Sequence, residues 1–600
     1  MRSFLSRLPR WLALGLGGAA VIVAVLGGPL GLDSDQKWGE VRILALGAGL
    51  VVLGLAGGDR ILTILDGLLL ERKQRRPAGD PLSEGTPRRA EIAPRAGMHL
   101  HTLAPVLGFF LILYFGLATV WNWTSWPSRS YQYHQLTEAF AKGDVALGIM
   151  PAPELAELDN PYDHAQRQGI QVVGDLSYFN GRYYLYWGPT PAVLSAPWFR
   201  VFGWPVSDGL IVLLAVGVVF LMSTVLVLRI HREYFPRVPT WLALGTVVLV
   251  GTTHPLLWTV NSPGIYTAAI STGQACFVAG MFFLVAAIVG PSNSTWRWVI
   301  CGVLWALAIG ARITLLVPVG ALIAAASALL VWQRSRLGAG GIAFKQLAGL
   351  VVPIVAGLSL LGLYNYVRFG DILETGFRYQ LVPRNQEEIL RRGLMFNPRF
   401  LLPNLLYYLV VPIRVTPEFP FLRLWWMVYP PFADFLKRFN LPTLYGGIQD
   451  AAGLVFAAPV LLLGVWMLGS LVPRSEGPRE WVVGRRGRSP HSPPLWVIVS
   501  LIGVAVLFLS GPTLFYRFAA TRFLLEITPT LAILSAIGAL VLYQGSQGLP
   551  ARRIAVTALI VTAIIVSALT GLILALDGEA ARFDDANPAL YSILTGFFAR

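Results

Sequence analysis

Residues 297–333 read RWVICGVLWALAIGARITLLVPVGALIAAASALLVWQ, an apolar run that Arg312 interrupts near its middle. About 20 apolar residues cross the hydrocarbon core of a bilayer, so this run is too long for one transmembrane helix. We therefore predict two helices that meet in a turn at Arg312. An arginine facing lipid would be costly, so we expect Arg312 to face water, protein or an anionic ligand.

Apolar runs of this kind recur along the 600 residues, which are 55% hydrophobic and 13% charged, with a mean hydropathy of +0.61. Soluble domains carry about 25% charged residues. The sequence therefore predicts an all-α polytopic membrane protein with about 13 transmembrane helices. We place them at 11–32, 43–58, 103–121, 208–228, 239–258, 264–290, 297–311, 314–333, 346–366, 453–472, 496–511, 524–543 and 553–576.

The net charge of +15 is explained by membrane topology rather than by nucleic-acid binding. Basic residues cluster in short loops that alternate with loops poor in them, as the positive-inside rule describes. They lie around 72–95, 229–237, 334–345, 474–488 and 552–553. This pattern predicts a cytoplasmic N-terminus and an extracytoplasmic C-terminus.

The same pattern divides the chain into segments. We predict a two-helix hairpin at 1–72, a basic cytoplasmic linker at 73–100, long outer segments at 122–207 and 367–452, and membrane helices over 453–600. The apolar stretch 401–413 is too short to span, which indicates an interfacial or re-entrant element within the second outer segment.

The first outer segment contains the candidate catalytic carboxylates. Asp159, Asp163 and Asp175 lie among turn-forming residues, so we expect them on loops. A partly buried carboxylate beside a membrane can act as a general base. The alternative for each is a cap of a turn or helix. Asp163 is four residues before Arg167 and could pair with it.

The sequence DLSYFNGRYYLYWGPTPAVLSAPWF at 175–199 combines a turn, an aromatic run and a Gly-Pro break. Aromatic residues at this depth commonly form an interfacial belt. The functional alternative is a platform for a sugar ring or prenyl chain, since Tyr and Trp present flat apolar faces with polar tips. The candidate binding residues here are Arg182, Tyr183, Tyr184, Tyr186 and Trp187.

Arginines of the outer segments and of the ends of predicted spans form the third set of candidates. An arginine fork suits a phosphate group, and headgroup contact is the alternative reading. The candidates are Arg167, Arg312, Arg368, Arg378, Arg517 and Arg522, with Tyr379 beside Arg378. Glu526 follows Arg522 by four residues and could simply pair with it.

Three stretches give the chain a resemblance to a known family. YFNGRYYLYWGPTPAVLSAP, GLYNYVRFGDILETGFRYQL and YRFAATRFLLEITP look like segments of bacterial multi-spanning C-type (GT-C) glycosyltransferases. The resemblance covers roughly 100–545 and implies a GT-C-like seven-helix core at 101–366. It also implies location in the bacterial inner membrane and transfer of a sugar from a polyprenyl-phosphate donor on the outer face.

The chain departs from this family at one place. Many members carry an acidic pair just after the helix that precedes the first outer loop. The matching stretch here, NWTSWPSRSYQYHQLTEAFAKGD, has none, which moves the catalytic role to Asp159, Asp163 or Asp175.

The resemblance leaves a divalent metal open as a cofactor, although the sequence contains no metal-ligand spacing. The expected partners are a polyprenyl-phosphate-linked sugar and membrane lipids, with no nucleic acid. A transporter of lipid-linked sugars and a non-catalytic membrane scaffold are the alternative functions.

Overall fold

The computed structural model describes residues 19, 20, 23 and 100–598, except 124–125, 129, 204–205, 290–293, 338–339, 384, 428, 430, 432–444, 446, 472–493 and 578–582. The predicted hairpin at 1–72, apart from those three residues, and the linker at 73–100, apart from Leu100, lie outside the described residues. The predicted spans at 11–32 and 43–58 lie there as well.

The described chain is mainly helical, because long apolar runs with few charges satisfy their backbone groups internally. The helices are α1 Leu100–Ala118, α2 Gln132–Ala141, α3 Thr190–Phe202, α4 Asp208–Tyr234, α5 Thr240–Thr252, α6 Leu256–Asn261, α7 Ile265–Val289, α8 Thr295–Ala311, α9 Leu316–Leu337, α10 Gly340–Phe369, α11 Gln386–Arg391, α12 Leu401–Leu409, α13 Leu454–Ala457, α14 Leu462–Gly469, α15 Leu495–Phe515, α16 Thr521–Leu524, α17 Thr528–Gly545, α18 Pro550–Leu576, α19 Phe583–Ala586 and α20 Pro588–Phe598.

Seven stretches in the described part are helical, long and apolar enough to cross a membrane. They lie in α4, α7, α9, α10, α15, α17 and α18, at places where the sequence predicts spans. The chain is therefore a polytopic membrane protein, as predicted. Shorter apolar helices include α1, α5 and α8, and the total of about 13 spans remains a prediction.

Two predicted spans are broken by proline. The span at 239–258 is divided into α5 and α6 around Pro255, and the one at 453–472 into α13, a 3-10 turn from Pro459 and α14. Proline has no backbone N–H and disfavours helix in the residue before it. A hydropathy pattern alone does not predict these breaks in the helices.

Helices α7 and α17 are the most enclosed of the spanning helices, with 83% of their apolar windows buried, whereas α10 has 11% buried. Helix α7 packs against α4 and α8, and α8 packs against α10. Gly302 allows the last contact, because a Cβ there would lie 2.3 Å from the Leu350 carbonyl oxygen. The face of α10 away from this packing is left for lipid.

The long segments 122–207 and 367–452 contain short strands, which corrects the all-α prediction. Strand β1 (Ser177–Phe179) pairs antiparallel with β2 (Arg182–Tyr184), and β3 (Arg414–Val415) pairs with β4 (Leu422–Arg423). Strand β6 (Ile448–Ala451) lies between β5 (Trp425–Met427) and β7 (Ala519–Ala520). Such short pairings satisfy backbone groups in segments that do not form helices.

The two long segments pack against each other. The Leu381 amide donates to the Leu176 carbonyl at 3.1 Å, and Ser177 forms a bridge with Gln380. Because β6 also runs parallel to β7, the chain just after α15 lies against the second segment. Residues near 175, 380, 449 and 520 are thus brought into one region.

Candidate active site

Arg312 lies in the turn that the sequence predicts. Helix α8 ends at Ala311, and α9 begins at Leu316 after a short 3-10 turn. The Arg312 Nε donates to Glu526 Oε1 at 2.9 Å, and Nη2 contacts the same oxygen. Both side chains are more than nine-tenths buried. The charge of Arg312 is therefore balanced by protein rather than left to lipid.

Glu526 does not pair with Arg522, although the two are four residues apart. Helix α16 ends at Leu524 and α17 begins at Thr528, so the two side chains are not on one continuous helix. Arg522 Nη2 instead donates to Gln449 Oε1 at 2.6 Å. The i,i+4 alternative is wrong because the helix breaks between the two residues.

Arg522 faces an aromatic wall. Its Cζ lies 4.5 Å from the ring centroid of Tyr266, at the start of α7. The side chain is 8% exposed, and its Nε is buried without a hydrogen-bond partner in the protein. A buried donor of this kind costs free energy until an acceptor reaches it. The Nε–H group of Arg522 therefore favours an anionic acceptor.

Asp175 stands at the entrance to β1 with a backbone φ of +59°, a left-handed conformation that is uncommon outside glycine. Its side chain is half-buried. The carboxylate lies within electrostatic reach of the Tyr266 and Tyr186 hydroxyls. The two phenols and the carboxylate form a polar cluster at the N-terminal end of α7.

Tyr516 marks the place where the candidate charges meet. Burial raises the pKa of Tyr516, while the positive charges of Arg517, Arg312 and Arg522 lower it and Asp175 raises it. Coulomb interactions weaken with distance, so these four groups lie within electrostatic reach of one hydroxyl. One carboxylate and three arginines from distant parts of the sequence therefore act on the electrostatics of Tyr516.

The aromatic strip is the run RYYLYW at 182–187, and its second half, with Tyr186 and Trp187, lines this region. Trp187 stacks under Arg312, with 4.5 Å from Cζ to the ring centroid, and its ring meets that of Tyr266 edge-on at 5.3 Å. Trp187 Nε1 is buried without a hydrogen-bond partner. Burial raises the pKa of Tyr186 well above its usual range, and the nearby Tyr266 and Asp175 raise it further. Tyr186 therefore remains a neutral phenol.

Gly188 fixes the strip against α8. A Cβ at Gly188 would lie 2.0 Å from the Gly310 carbonyl oxygen, so no other residue fits there unless the backbone moves. Two residues on, Thr190 Oγ1 donates to the Leu307 carbonyl at 2.9 Å. These contacts set the position of Trp187 relative to Arg312.

The first half of the strip has structural contacts instead. Tyr183 is 1% exposed and Tyr184 6%, and Tyr184 packs edge-on against Phe369 with 5.4 Å between centroids. Arg182 forms an exposed ion pair with Asp144. The structure does not bring these three predicted binding residues to Tyr516.

Four more predicted binding residues contact backbone or neighbouring side chains. Arg167 Nη2 donates to the Val382 carbonyl at 2.8 Å, and Arg368 Nη1 donates to the Leu185 carbonyl at 2.5 Å. Arg378 pairs with Glu374 at 2.5 Å. Tyr379 packs on Phe179 with 4.7 Å between ring centroids. Arg167 and Arg368 thus hold the two long segments in place.

Asp159 and Asp163 lie in a surface loop. Asp159 is exposed, and Asp163 Oδ1 accepts the Ala165 amide at 3.0 Å, which is the turn-capping role. Asp163 and Arg167 form no ion pair, because the Arg167 guanidinium is directed to Val382. Of the three candidate carboxylates, only Asp175 lies beside the arginines.

Sequence reasoning did not select Tyr266, Tyr516 or Gln449. Tyr516 lies next to Arg517, and Tyr266 opens a helix directly after SPGI, so each stands at a helix end where side chains can reach a pocket. Gln449 gives no comparable signal. Among the described residues, no three His, Cys, Asp or Glu side chains could together hold a metal ion, and Glu526, beside the site, is engaged by Arg312.

Comparisons with known proteins give low similarity. No family model and no curated protein matches the chain. It is similar to the crystal structure of ArnT from Cupriavidus metallidurans bound to undecaprenyl phosphate, with 12% identity over 81% of this chain and 77% of that chain and a TM-score of 0.39.

Two archaeal structures are also similar to the chain. The oligosaccharyltransferase AglB from Archaeoglobus fulgidus, in complex with an inhibitory peptide and a dolichol-phosphate, shares 10% identity over 80% of this chain, with a TM-score of 0.41. An apo form of the Archaeoglobus fulgidus oligosaccharyltransferase shares 11% identity over 80%, with a TM-score of 0.42. This chain spans 56% of each.

These solved structures are of GT-C glycosyltransferases, the class that the sequence resembles.

Proposed function

We propose that this chain is a bacterial inner-membrane glycosyltransferase that moves a sugar from a polyprenyl-phosphate donor to an acceptor on the extracytoplasmic face. The observation that carries the proposal is that Trp187 and Tyr266 join Arg312 to Arg522, with Asp175 and Arg517 within electrostatic reach of the neighbouring Tyr516. A carboxylate beside a cluster of arginines suits a reaction in which a hydroxyl loses a proton and a phosphate leaves.

In the proposed reaction Asp175 accepts the proton of an acceptor hydroxyl. The acceptor oxygen forms a bond to the anomeric carbon as the bond from that carbon to the phosphate oxygen breaks. The polyprenyl phosphate leaves with the bonding electrons, and its additional negative charge is stabilised by Arg517 and Arg522. Such stabilisation is most effective in a water-poor site with fixed donors.

The charge balance of the site supports a monophosphate donor. Glu526 offsets Arg312, and Asp175 carries one negative charge, so the five groups together are positive by one. A phosphodiester sugar donor carries one negative charge. Trp187 and Tyr186 provide the apolar faces on which a sugar ring packs.

The decisive experiment is transfer from radiolabelled polyprenyl-phosphate sugars in isolated membranes that supply the acceptor. We expect Asp175→Asn to lower transfer by at least about 100-fold, as loss of a general base does. Asp159→Asn and Asp163→Asn are matched controls in the same segment and should retain activity. Unchanged transfer in Asp175→Asn, with equal protein in the membrane, would remove Asp175 as the base.

A transporter of lipid-linked sugars is a second candidate, which the break between α5 and α6 favours. Transporters place polar groups at such breaks, and here His254 is fully buried with both ring nitrogens unpartnered. The two functions differ in outcome. A transporter moves labelled donor across a liposome membrane intact, whereas the transferase releases free polyprenyl phosphate.

A further inference from the structure

A second cluster of buried arginine lies away from the candidate active site. Helix α8 runs from Thr295 to Ala311, so Arg297 in its first turn lies roughly 20 Å from Arg312 at a rise of 1.5 Å per residue. Arg229 lies in the last two turns of α4. Helix α7 packs against both α4 and α8, and near its C-terminal end the Ala286 carbonyl accepts a hydrogen bond from Arg297 Nη1 at 3.0 Å.

Arg229 has an unusual environment for a buried arginine. Its side chain is 8% exposed, and both Nε and Nη1 are buried without a hydrogen-bond partner in the protein. Buried guanidinium groups normally have their N–H groups satisfied, and leaving two unsatisfied is costly. The local geometry therefore lacks an acceptor that Arg229 needs.

The surrounding charges do not remove this deficit. The positive charge of Arg297 lies close enough to repel that of Arg229, while the half-buried Glu233 attracts it. Neither residue supplies a hydrogen-bond acceptor to Nε or Nη1 of Arg229. Ser294, 5% exposed and at the start of α8, has a buried hydroxyl without a partner as a further donor.

We propose that Arg229, beside Arg297, binds a phosphate group at the end of the membrane opposite to the candidate active site. A phosphate oxygen would accept a charge-assisted hydrogen bond from one of these unsatisfied N–H groups. This site is independent of the proposed transferase reaction, so a test of one does not decide the other.

The position of the site suits the headgroup of an anionic phospholipid. Apolar side chains on α8 continue from this end along an exposed face, with Trp296 40%, Val299 38% and Val303 43% exposed. Trp296 packs against Phe283 and lies 5.3 Å from the Arg297 guanidinium carbon. A tryptophan with an arginine at a helix end is the usual arrangement at headgroup depth. Inorganic phosphate carries the same phosphate group but has no acyl chains.

The test is binding to the full chain in non-ionic detergent, measured by native mass spectrometry. One arm titrates dioleoyl phosphatidylglycerol and the other titrates inorganic phosphate. We expect Arg229→Gln to weaken binding of the lipid by at least about tenfold, the loss of one charge-assisted pair. Arg232→Gln removes the same charge from an exposed neighbour and should bind as wild type does.

The possible results distinguish a lipid headgroup from a free anion and test the role of Arg229. Lipid binding that inorganic phosphate does not reproduce identifies the headgroup, whereas equal loss of inorganic phosphate in Arg229→Gln identifies a free anion at the same site. Equal lipid affinity in wild type and Arg229→Gln, or an equal loss in Arg232→Gln, would overturn the proposal. If Arg229→Gln fails to fold, Arg229→Lys retains the charge without the fork and should still bind at least severalfold more weakly than wild type.

Discussion

Arg312 and Glu526, 214 residues apart in the sequence, form a buried ion pair that joins the turn between α8 and α9 to the turn between α16 and α17. Trp187 lies against the other side of the same guanidinium. Three separate chain segments are thus connected through one side chain. The position of the candidate site depends on this connection more than on any single loop.

Glu526→Gln should therefore destabilise the protein strongly. Breaking a buried ion pair by removing one partner leaves a buried charge uncompensated, at a cost of about 3–5 kcal/mol. The measurement is the free energy of unfolding in detergent by denaturant titration. Glu388→Gln provides the control, because its pair with Arg392 is exposed and should be worth about 1 kcal/mol or less. Similar losses in both variants would contradict the role of burial.

Gly188→Ala tests the approach of the aromatic strip to α8. The added methyl group would lie 2.0 Å from the Gly310 carbonyl oxygen, so the strip must move away and take Trp187 with it. We expect a loss of about 1–3 kcal/mol in the free energy of unfolding together with reduced transfer. Gly148→Ala adds a methyl group in the same segment where no heavy atom lies within 4 Å, and it should be neutral. If both substitutions are neutral, the close approach is absent in solution.

Arg368 is predicted to position the neighbouring backbone rather than to bind the substrate. It holds the Leu185 carbonyl and Asn365 Oδ1 and stacks on Tyr364 at 3.9 Å from the ring centroid. Arg368→Met keeps the packing but leaves the Leu185 carbonyl without its donor, which should cost about 1–3 kcal/mol in the free energy of unfolding. Arg392→Met, in an exposed pair with Glu388, should change stability by less than about 1 kcal/mol. The reverse order of the two variants would place Arg368 in ligand binding instead.

The sequence allowed the spanning helices and the turn at Arg312 to be predicted, because both follow from hydropathy and from the cost of a charge in lipid. It also selected Asp175, Arg312, Arg517 and Arg522, since charged residues at span ends are few. It could not separate these from Arg167 or Arg368. Each is an arginine in or beside an outer segment, and only the fold decides whether its guanidinium contacts a backbone carbonyl or a pocket.

Other features depend on contacts between distant segments. Glu526 lies four residues after Arg522 in the sequence but pairs with Arg312. Gln449 reaches Arg522 because β6 runs parallel to β7, a pairing that no local pattern predicts. Tyr266 and Tyr516 resemble ordinary interfacial aromatics until Asp175 and the arginines are placed beside them.

Tyr266→Phe separates orientation of Asp175 from packing of the site. The ring remains in place for Trp187 at 5.3 Å and for Arg522 at 4.5 Å, and only the hydroxyl between Asp175 and Tyr186 is lost. In the proposed reaction the hydroxyl orients the charged carboxylate, and a hydrogen bond to a charged group contributes about 1.5–3 kcal/mol, so transfer should slow by roughly 10- to 150-fold. Because the ring surface is unchanged, we expect the loss in kcat with little change in KM for the donor. Tyr162→Phe removes a hydroxyl that donates to the Tyr178 carbonyl at 2.9 Å, away from the arginines, and should leave kcat within about threefold of wild type. A rise in KM without loss of kcat in Tyr266→Phe would assign the hydroxyl to donor binding and leave Asp175 without its orienting partner.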